Sequence, residues 1–311
     1  EPALYAAALS VFRRGKYNGN VLEYLSHYVQ GTTKELRDIW KAARSFEVDC
    51  YELSEKILVQ MLFSGAFVGE RMDIFRYYVS QGADQKLEEA VLVQSAYDYF
   101  CREKLTEEYI FREIRNCYLR GEDTQRICKL AYLKFYAENR DSLEREDEPL
   151  IRDFLREMMK EHIHLNLFRE FQDCLPELQE LKDKTIVEYR TRGGVRARIH
   201  YVMLHENGQT EEYLSEYMQE VYSGVFFKEF VLFFGENIQY YIMEESENGE
   251  QLTESGSLQK SDIANDDPDN KYEIVNDMMV SMTLQDDDTL DHLIEEYYRR
   301  EYLDHRLFTL Q

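Results

Sequence analysis

Hydrophobic positions change their spacing once along this chain, near residue 184. Before that point apolar residues recur every three or four: Leu22, Leu25 and Val29, then Ile74, Tyr77 and Tyr78, then Ile110, Ile114, Cys117 and Tyr118. That spacing places them on one face of an α-helix. Residues 3 to about 181 therefore read as helices, with glycine scarce and only Pro2, Pro149 and Pro176 interrupting. Three boundaries look alike: HYVQGTTKELRDIW (27–40), YYVSQGADQKLEEA (77–90) and NCYLRGEDTQRICKL (116–130). In each, a glycine (Gly31, Gly82 or Gly121) is expected at the left-handed C′ position that ends one helix. Thr32 with Glu35 predicts a capping box for the next. The glycines are 51 and 39 residues apart, so the pattern predicts an irregular stack of helix hairpins, not a strict repeat.

Beyond residue 184 the period becomes two, the alternation of a strand with one buried face. TIVEYRT, VRARIHYVML, TEEYLSEYM, VFFKEFVLFF, NIQYYIMEE and EQLTESGSLQKS are separated by turns rich in glycine and asparagine. Six or seven such strands predict an antiparallel β-sandwich. VFFKEFVLFF is apolar on both faces and predicts a central strand. A helical pair closes the chain: Asp267-Pro268 opens YEIVNDMMVSMTL, and Asp286-Asp287-Asp288 precede LDHLIEEYYRREYL, acids where the helix dipole favours them. The expected layout is α+β and multidomain. Residues 1–181 form an all-α helical-hairpin repeat of tetratricopeptide-like solenoid type. Residues 182–264 form an antiparallel, immunoglobulin-like sandwich, and 265–311 are C-terminal helices packing on the preceding domains.

The densest cluster of cations lies in YRTRGGVRARIHY (189–201), with four arginines in nine residues. Alternation turns Val195, Ala197, Ile199, Tyr201 and Met203 inward, with Val187, Tyr189 and Thr191 on the strand before. If the two strands form one hairpin, a three-residue loop pairs 191 with 195 and 189 with 197. Glu188 then faces Arg198, and Arg190 faces Arg196, a like-charge pair. The outer face becomes Arg190, Arg196, Arg198 and His200, with Arg192 in the turn. This is a candidate patch for an anion or an acidic partner, unless the protein's own carboxylates neutralise it.

Composition narrows the choice of function. The chain has 311 residues and a formal net charge of −24. Residues 1–200 carry 31 Lys+Arg and 35 Asp+Glu; residues 201–311 carry 6 and 26. The last third therefore supplies −20 of the charge, a surface that repels phosphate backbones. No nucleic-acid partner is expected, no membrane insertion and no cofactor; a protein partner is. No run approaches the ~20 apolar residues of a membrane span. Five cysteines (50, 101, 117, 128 and 174), with no CxxC, read as buried free thiols in a reducing, cytoplasmic setting. A cell-surface location would need a signal peptide upstream. The start at Glu1-Pro2 reads as a cut from a longer chain.

Catalytic and metal patterns are sparse. His162-Ile163-His164 lies in FLREMMKEHIHLNLF, which reads as helical, and on a helix residues two apart point in different directions and cannot share a metal. DIANDDPDN (262–270) lacks the order of a calcium loop and reads as helix capping. ESENGE (245–250) reads as a hairpin turn with solvated acids. No GxSxG, Walker, HExxH or Cys-His pattern occurs.

The sequence resembles two known families. LYAAALSVFRRGKYNGNVLEYL (4–25) resembles a tetratricopeptide unit, with Ala8 where helices cross and Gly15-Lys16-Tyr17 at the turn; Asn20 stands where that family usually has alanine. YRTRGGVRARIHY, FVLFFGENIQYYIMEE, NGEQLTESGSL and EYYRREYLDHRLF resemble the C-terminal region of a large, uncharacterised protein family of gut clostridia. That resemblance implies a long multidomain protein and supplies no catalytic residues. The leading expectation is a non-enzymatic protein-interaction scaffold. The alternatives are a surface module binding a host protein or glycan, and a hydrolase using buried carboxylates.

Overall fold

The structure is a computed structural model. It describes residues 2–28, 30–64, 68–103, 106–142, 147–204, 213–232, 236–247, 249–259 and 271–299. Asp267-Pro268 and the acids of 262–270 lie outside those residues. The chain divides into two compact units, 1–154 and 155–311.

The first unit is helical. Its helices are α1 (Pro2–Arg13), α2 (Gly19–His27), α3 (Thr33–Ser45), α4 (Tyr51–Ser64), α5 (Val68–Ser80), α6 (Gln85–Arg102), α7 (Glu108–Leu119) and α8 (Arg126–Glu138); α9 (Asp147–Lys160) begins here. Each helix up to α8 packs on the next, and the even-numbered ones also pack on each other in the order α2, α4, α6, α8. This is the two-layer arrangement of a helical-hairpin solenoid, and burial follows it. The inner helix α8 hides an unbroken run from Ile127 to Leu133, whereas α3 hides only one stripe: Leu36, Ile39, Trp40 and Ala43. Among the described residues, no helix is long and apolar enough to cross a membrane.

Helix ends follow the local chemistry. The Thr32–Glu35 capping box is present. Gly121 has φ +78°; its N–H donates to Tyr118 O, and the next N–H, of Glu122, donates to Cys117 O, the double closure of a C′ glycine. Gly15 ends α1 in the same way. Gly31 departs from expectation. The helix stops earlier, at His27, and Gly31 (φ +148°) instead precedes the Thr32 cap.

Among the described residues of the second unit, seven strands form two antiparallel sheets: β1 (Lys184–Arg190), β2 (Arg196–Leu204), β3 (Leu214–Tyr217), β4 (Gln219–Tyr222), β5 (Val225–Val231), β6 (Asn237–Ser246) and β7 (Gly249–Gln259). One sheet has the order β1-β5-β4, the other β3-β2-β6-β7. These match strands B-E-D and C′-C-F-G of an immunoglobulin sandwich, with no strand A among the described residues. The sheets meet across Val187, Tyr189, Phe226 and Phe230 from the first and Ala197, Ile199, Tyr201, Ile238 and Ile242 from the second. β5 is central in its sheet, and Val225, Phe226, Phe227 and Phe230 are buried, as VFFKEFVLFF predicts. Two helices, α10 (Lys271–Leu284) and α11 (Asp287–Arg299), pack on each other, and Asp286 caps α11 by accepting from Thr289 N at 3.2 Å.

The place of strand A is taken by residues 163–171. Helix α9 ends with His162 at φ +55°, and a 3₁₀ turn follows over Asn166–Phe171. Outward carbonyls of β1 are capped from this segment: Asn166 Nδ2 donates to Ile186 O at 3.1 Å, and Arg169 Nη2 donates to Lys184 O. An open strand edge is thereby closed without another strand.

The hairpin expected at Gly193-Gly194 does not form. β1 pairs with β5, and β2 pairs with β3 and β6. Residues 191–195 instead arch from one sheet to the other. Tyr189 and Ala197 meet across the sandwich core, not side by side, so an alternation that fits either geometry gave the wrong register. Thr191 N donates to Gly224 O at 2.8 Å. Gly224 (φ +82°) has no room for a Cβ, which would overlap the Thr191 carbonyl oxygen.

Candidate functional site

The arch distributes the arginines over two surfaces. Arg190 lies on the outer face of the β1-β5-β4 sheet, where its Nη2 donates to Glu188 Oε2 at 3.2 Å. Arg196, Arg198 and His200 lie on the outer face of the other sheet. Arg190 therefore does not face Arg196, and Glu188 does not face Arg198. The residue opposite Arg196 is Glu245 of β6. Glu245 accepts from Arg196 Nη2 at 3.1 Å and forms an ion pair with Arg198 Nη2 at 2.7 Å, with its own side chain only 13% exposed. Both guanidiniums cover the Tyr217 ring, at 4.8 and 4.4 Å from its centroid. The hydrogen bond from Arg198 to the Tyr217 hydroxyl, with Glu245 beside it, raises the Arg198 pKa. The acids of ESENGE are thus not uniformly solvated, because Glu245 is the counter-ion of the arginine strand.

His200 stacks flat on Tyr241, with centroids 4.6 Å apart and planes 6° apart, and near Tyr213. Burial, then the neighbouring Arg198 charge, lowers its pKa, so the ring is neutral at pH 7 and adds no cation. Arg192 is exposed in the arch and makes no ion pair among the described residues.

The arch shares one end of the sandwich with two other turns. The β4–β5 turn touches it through Gly224, and the β6–β7 hairpin closes at Ser246 and Gly249. Shallow depressions of about 310 and 440 Å³ flank Gly194 and Val195, one bounded by Glu220–Ser223 and the other by Glu245 and Glu250. Beneath the arch, Glu244 accepts from Tyr189 at 2.8 Å and from Thr191. Sequence reasoning overlooked Glu244, Glu245 and Tyr217, since strand pairing alone brings them to the arginines. Three loops thus converge at one end of the sandwich, and Arg192 in the arch makes no ion pair among the described residues.

The remaining candidates fall elsewhere. The His162–His164 stretch is a helix end and an extended segment, not a helix. His164, 4% exposed, hydrogen-bonds through Nδ1 to Glu229 Oε2 on β5. Lys184 Nζ donates to the same carboxylate at 3.1 and 3.2 Å. The His164 hydrogen bond first, then Lys184, hold the Glu229 carboxyl at about 2, although burial acts the other way. In the helical unit a pocket of about 340 Å³ lies between α6, α7 and α8 and is lined by Cys117, Cys128 and several acids. Among the described residues, no group of three or more His, Cys, Asp or Glu is placed to hold a metal.

A helical-hairpin stack joined to an immunoglobulin-type sandwich defines an α+β protein. At the level of family, residues 1–308 match the C-terminal model of a family of unknown function (DUF5717), and the chain belongs to that family. No curated protein and no solved structure matches it.

Proposed function

We propose that this chain is a non-enzymatic scaffold for protein–protein interaction, in a reducing compartment, and that the loop end of its sandwich receives an acidic surface of the partner. The observation that supports this is the convergence of the arch and two turns at one end, with Arg192 exposed in the arch. Immunoglobulin-type domains use such loop ends for recognition. The hydrolase alternative finds little support in the α6–α8 pocket. There Arg120 Nε donates to Glu122 at 2.7 Å and lowers its pKa, the opposite of what a general acid needs. All five cysteines are free thiols, with Cys50, Cys117 and Cys128 buried.

The test compares proteins retained from native lysate by the wild-type chain and by Arg192→Glu, with quantitative mass spectrometry. The proposal expects at least one retained protein to fall several-fold with the variant. Identical retained sets for the two chains would overturn it.

A further inference from the structure

The α6–α8 pocket has an apolar floor and an acidic rim. Leu92 of α6, Ile114 of α7 and Cys128 of α8 form the floor; each is at most 3% exposed. The Cys128 thiol has no hydrogen-bond partner among the described residues. Glu89, Glu122 and Asp123 stand at the rim, and no cationic residue lines the pocket. The three acids are not equally satisfied. Glu122 is paired with Arg120, which also binds Glu88 at 3.0 Å, so one guanidinium already serves two carboxylates. Among the described residues, Glu89 accepts only from a neutral donor, Gln125 Nε2, at 3.0 Å. Asp123 is exposed and makes no ion pair among the described residues.

An apolar floor beneath carboxylates that make no ion pair among the described residues matches the two ends of a lysine or arginine side chain, whose methylene stem prefers apolar contact while its head stays charged. The volume is at the lower end of that of ligand pockets, enough for one side chain and too small for a folded surface. We infer that this pocket binds a basic peptide segment of a partner protein by inserting one lysine or arginine side chain, stem on Leu92, Ile114 and Cys128 and head between Glu89 and Asp123. This deepens the scaffold reading and rests on it, since it assigns a second contact point with the opposite charge preference to the sandwich loops.

The experiment titrates the full chain into fluorescein-labelled, end-capped pentapeptides, Gly-Gly-Xaa-Gly-Gly with Xaa lysine, arginine or norleucine, and follows fluorescence anisotropy. Saturable binding of the cationic peptides is expected, at least fivefold tighter than norleucine. Glu89→Gln with Asp123→Asn should weaken it at least fivefold. Asp287→Asn with Asp288→Asn, which removes the same charge from α11, should change it less than twofold. Equal weakening by both double variants would mean general attraction to an acidic chain and would overturn the pocket, as would no saturable binding. Loss of the pocket in this assay, with Arg192-dependent capture intact, would leave the scaffold reading standing.

Discussion

Glu229→Gln is the substitution whose effect can be worked out most fully. Glu229 joins β5 to the segment that replaces strand A, through His164, and to β1 through Lys184. Its carboxyl is lowered from 4.5 to about 2. At 1.36 kcal/mol per pH unit this sets a ceiling of about 3.4 kcal/mol. The side chain is 40% exposed, so solvent screening reduces the expected contribution to about 1–2 kcal/mol. The sign follows from the direction of the change. A carboxylate with a lowered folded pKa contributes fully above about 4.5 and loses its contribution as the pH falls toward 2. Wild type and variant should therefore differ by about 1–2 kcal/mol at pH 7, the difference shrinking below about pH 4.5 and vanishing toward pH 2. Hydrogen exchange of peptides covering β1, β5 and residues 163–171 reads this locally, avoiding the assumption that both units unfold in one step. A difference that stays constant from pH 7 to 3, or no difference at pH 7, would refute the ion-pair account.

Three further outcomes follow from burial and backbone geometry. In the native protein Cys101 and Cys174 should react with a thiol reagent well before Cys50, Cys117 and Cys128, because burial hides the last three and pushes Cys50 up to about 11 and Cys128 up to about 12; site-resolved mass spectrometry gives the order. Gly224→Ala should destabilise the sandwich by more than about 2 kcal/mol through strain at positive φ plus overlap with Thr191, whereas Gly194→Ala, with open space around it, should cost only about 1 kcal/mol by chemical denaturation. Glu245→Gln should lower the melting temperature, since it leaves Arg196 and Arg198 side by side over Tyr217 without their shared carboxylate; an unchanged melting curve would mean the arginines find other counter-ions in solution.

The change of period at Lys184 was legible because alternation depends on which residues face a core, and that core is real: Val195, Ala197 and Ile199 are at most 7% exposed. The capping box and the Gly121 helix end were legible because each is closed within a few residues. Strand pairing was not. Val187, Tyr189, Ala197 and Ile199 point into the sandwich equally well from a hairpin within one sheet or from an arch between two, so alternation cannot choose between them. The choice is made by β5 and β6, dozens of residues away, which claim β1 and β2 as partners. The same gap hid the counter-ions. Glu188 sits two residues from Arg190 on the same face of its strand and could have been found from spacing alone. Glu245, 47 residues beyond Arg198, could not.

That arch also decides how the clustered arginines are neutralised. A hairpin would have placed Arg190 against Arg196 with no carboxylate between them. Sending the two strands to separate sheets leaves Arg190 with Glu188 of its own strand and brings Glu245 to Arg196 and Arg198, and the contact between Arg190 and Arg196 never arises. Arg192 sits in the turn between the sheets, on neither strand, so neither glutamate serves it. The geometry that neutralises three arginines is therefore also what leaves the fourth exposed at the loop end of the sandwich. Of the four arginines, the one without an ion pair among the described residues is the one on which partner recognition is proposed to depend.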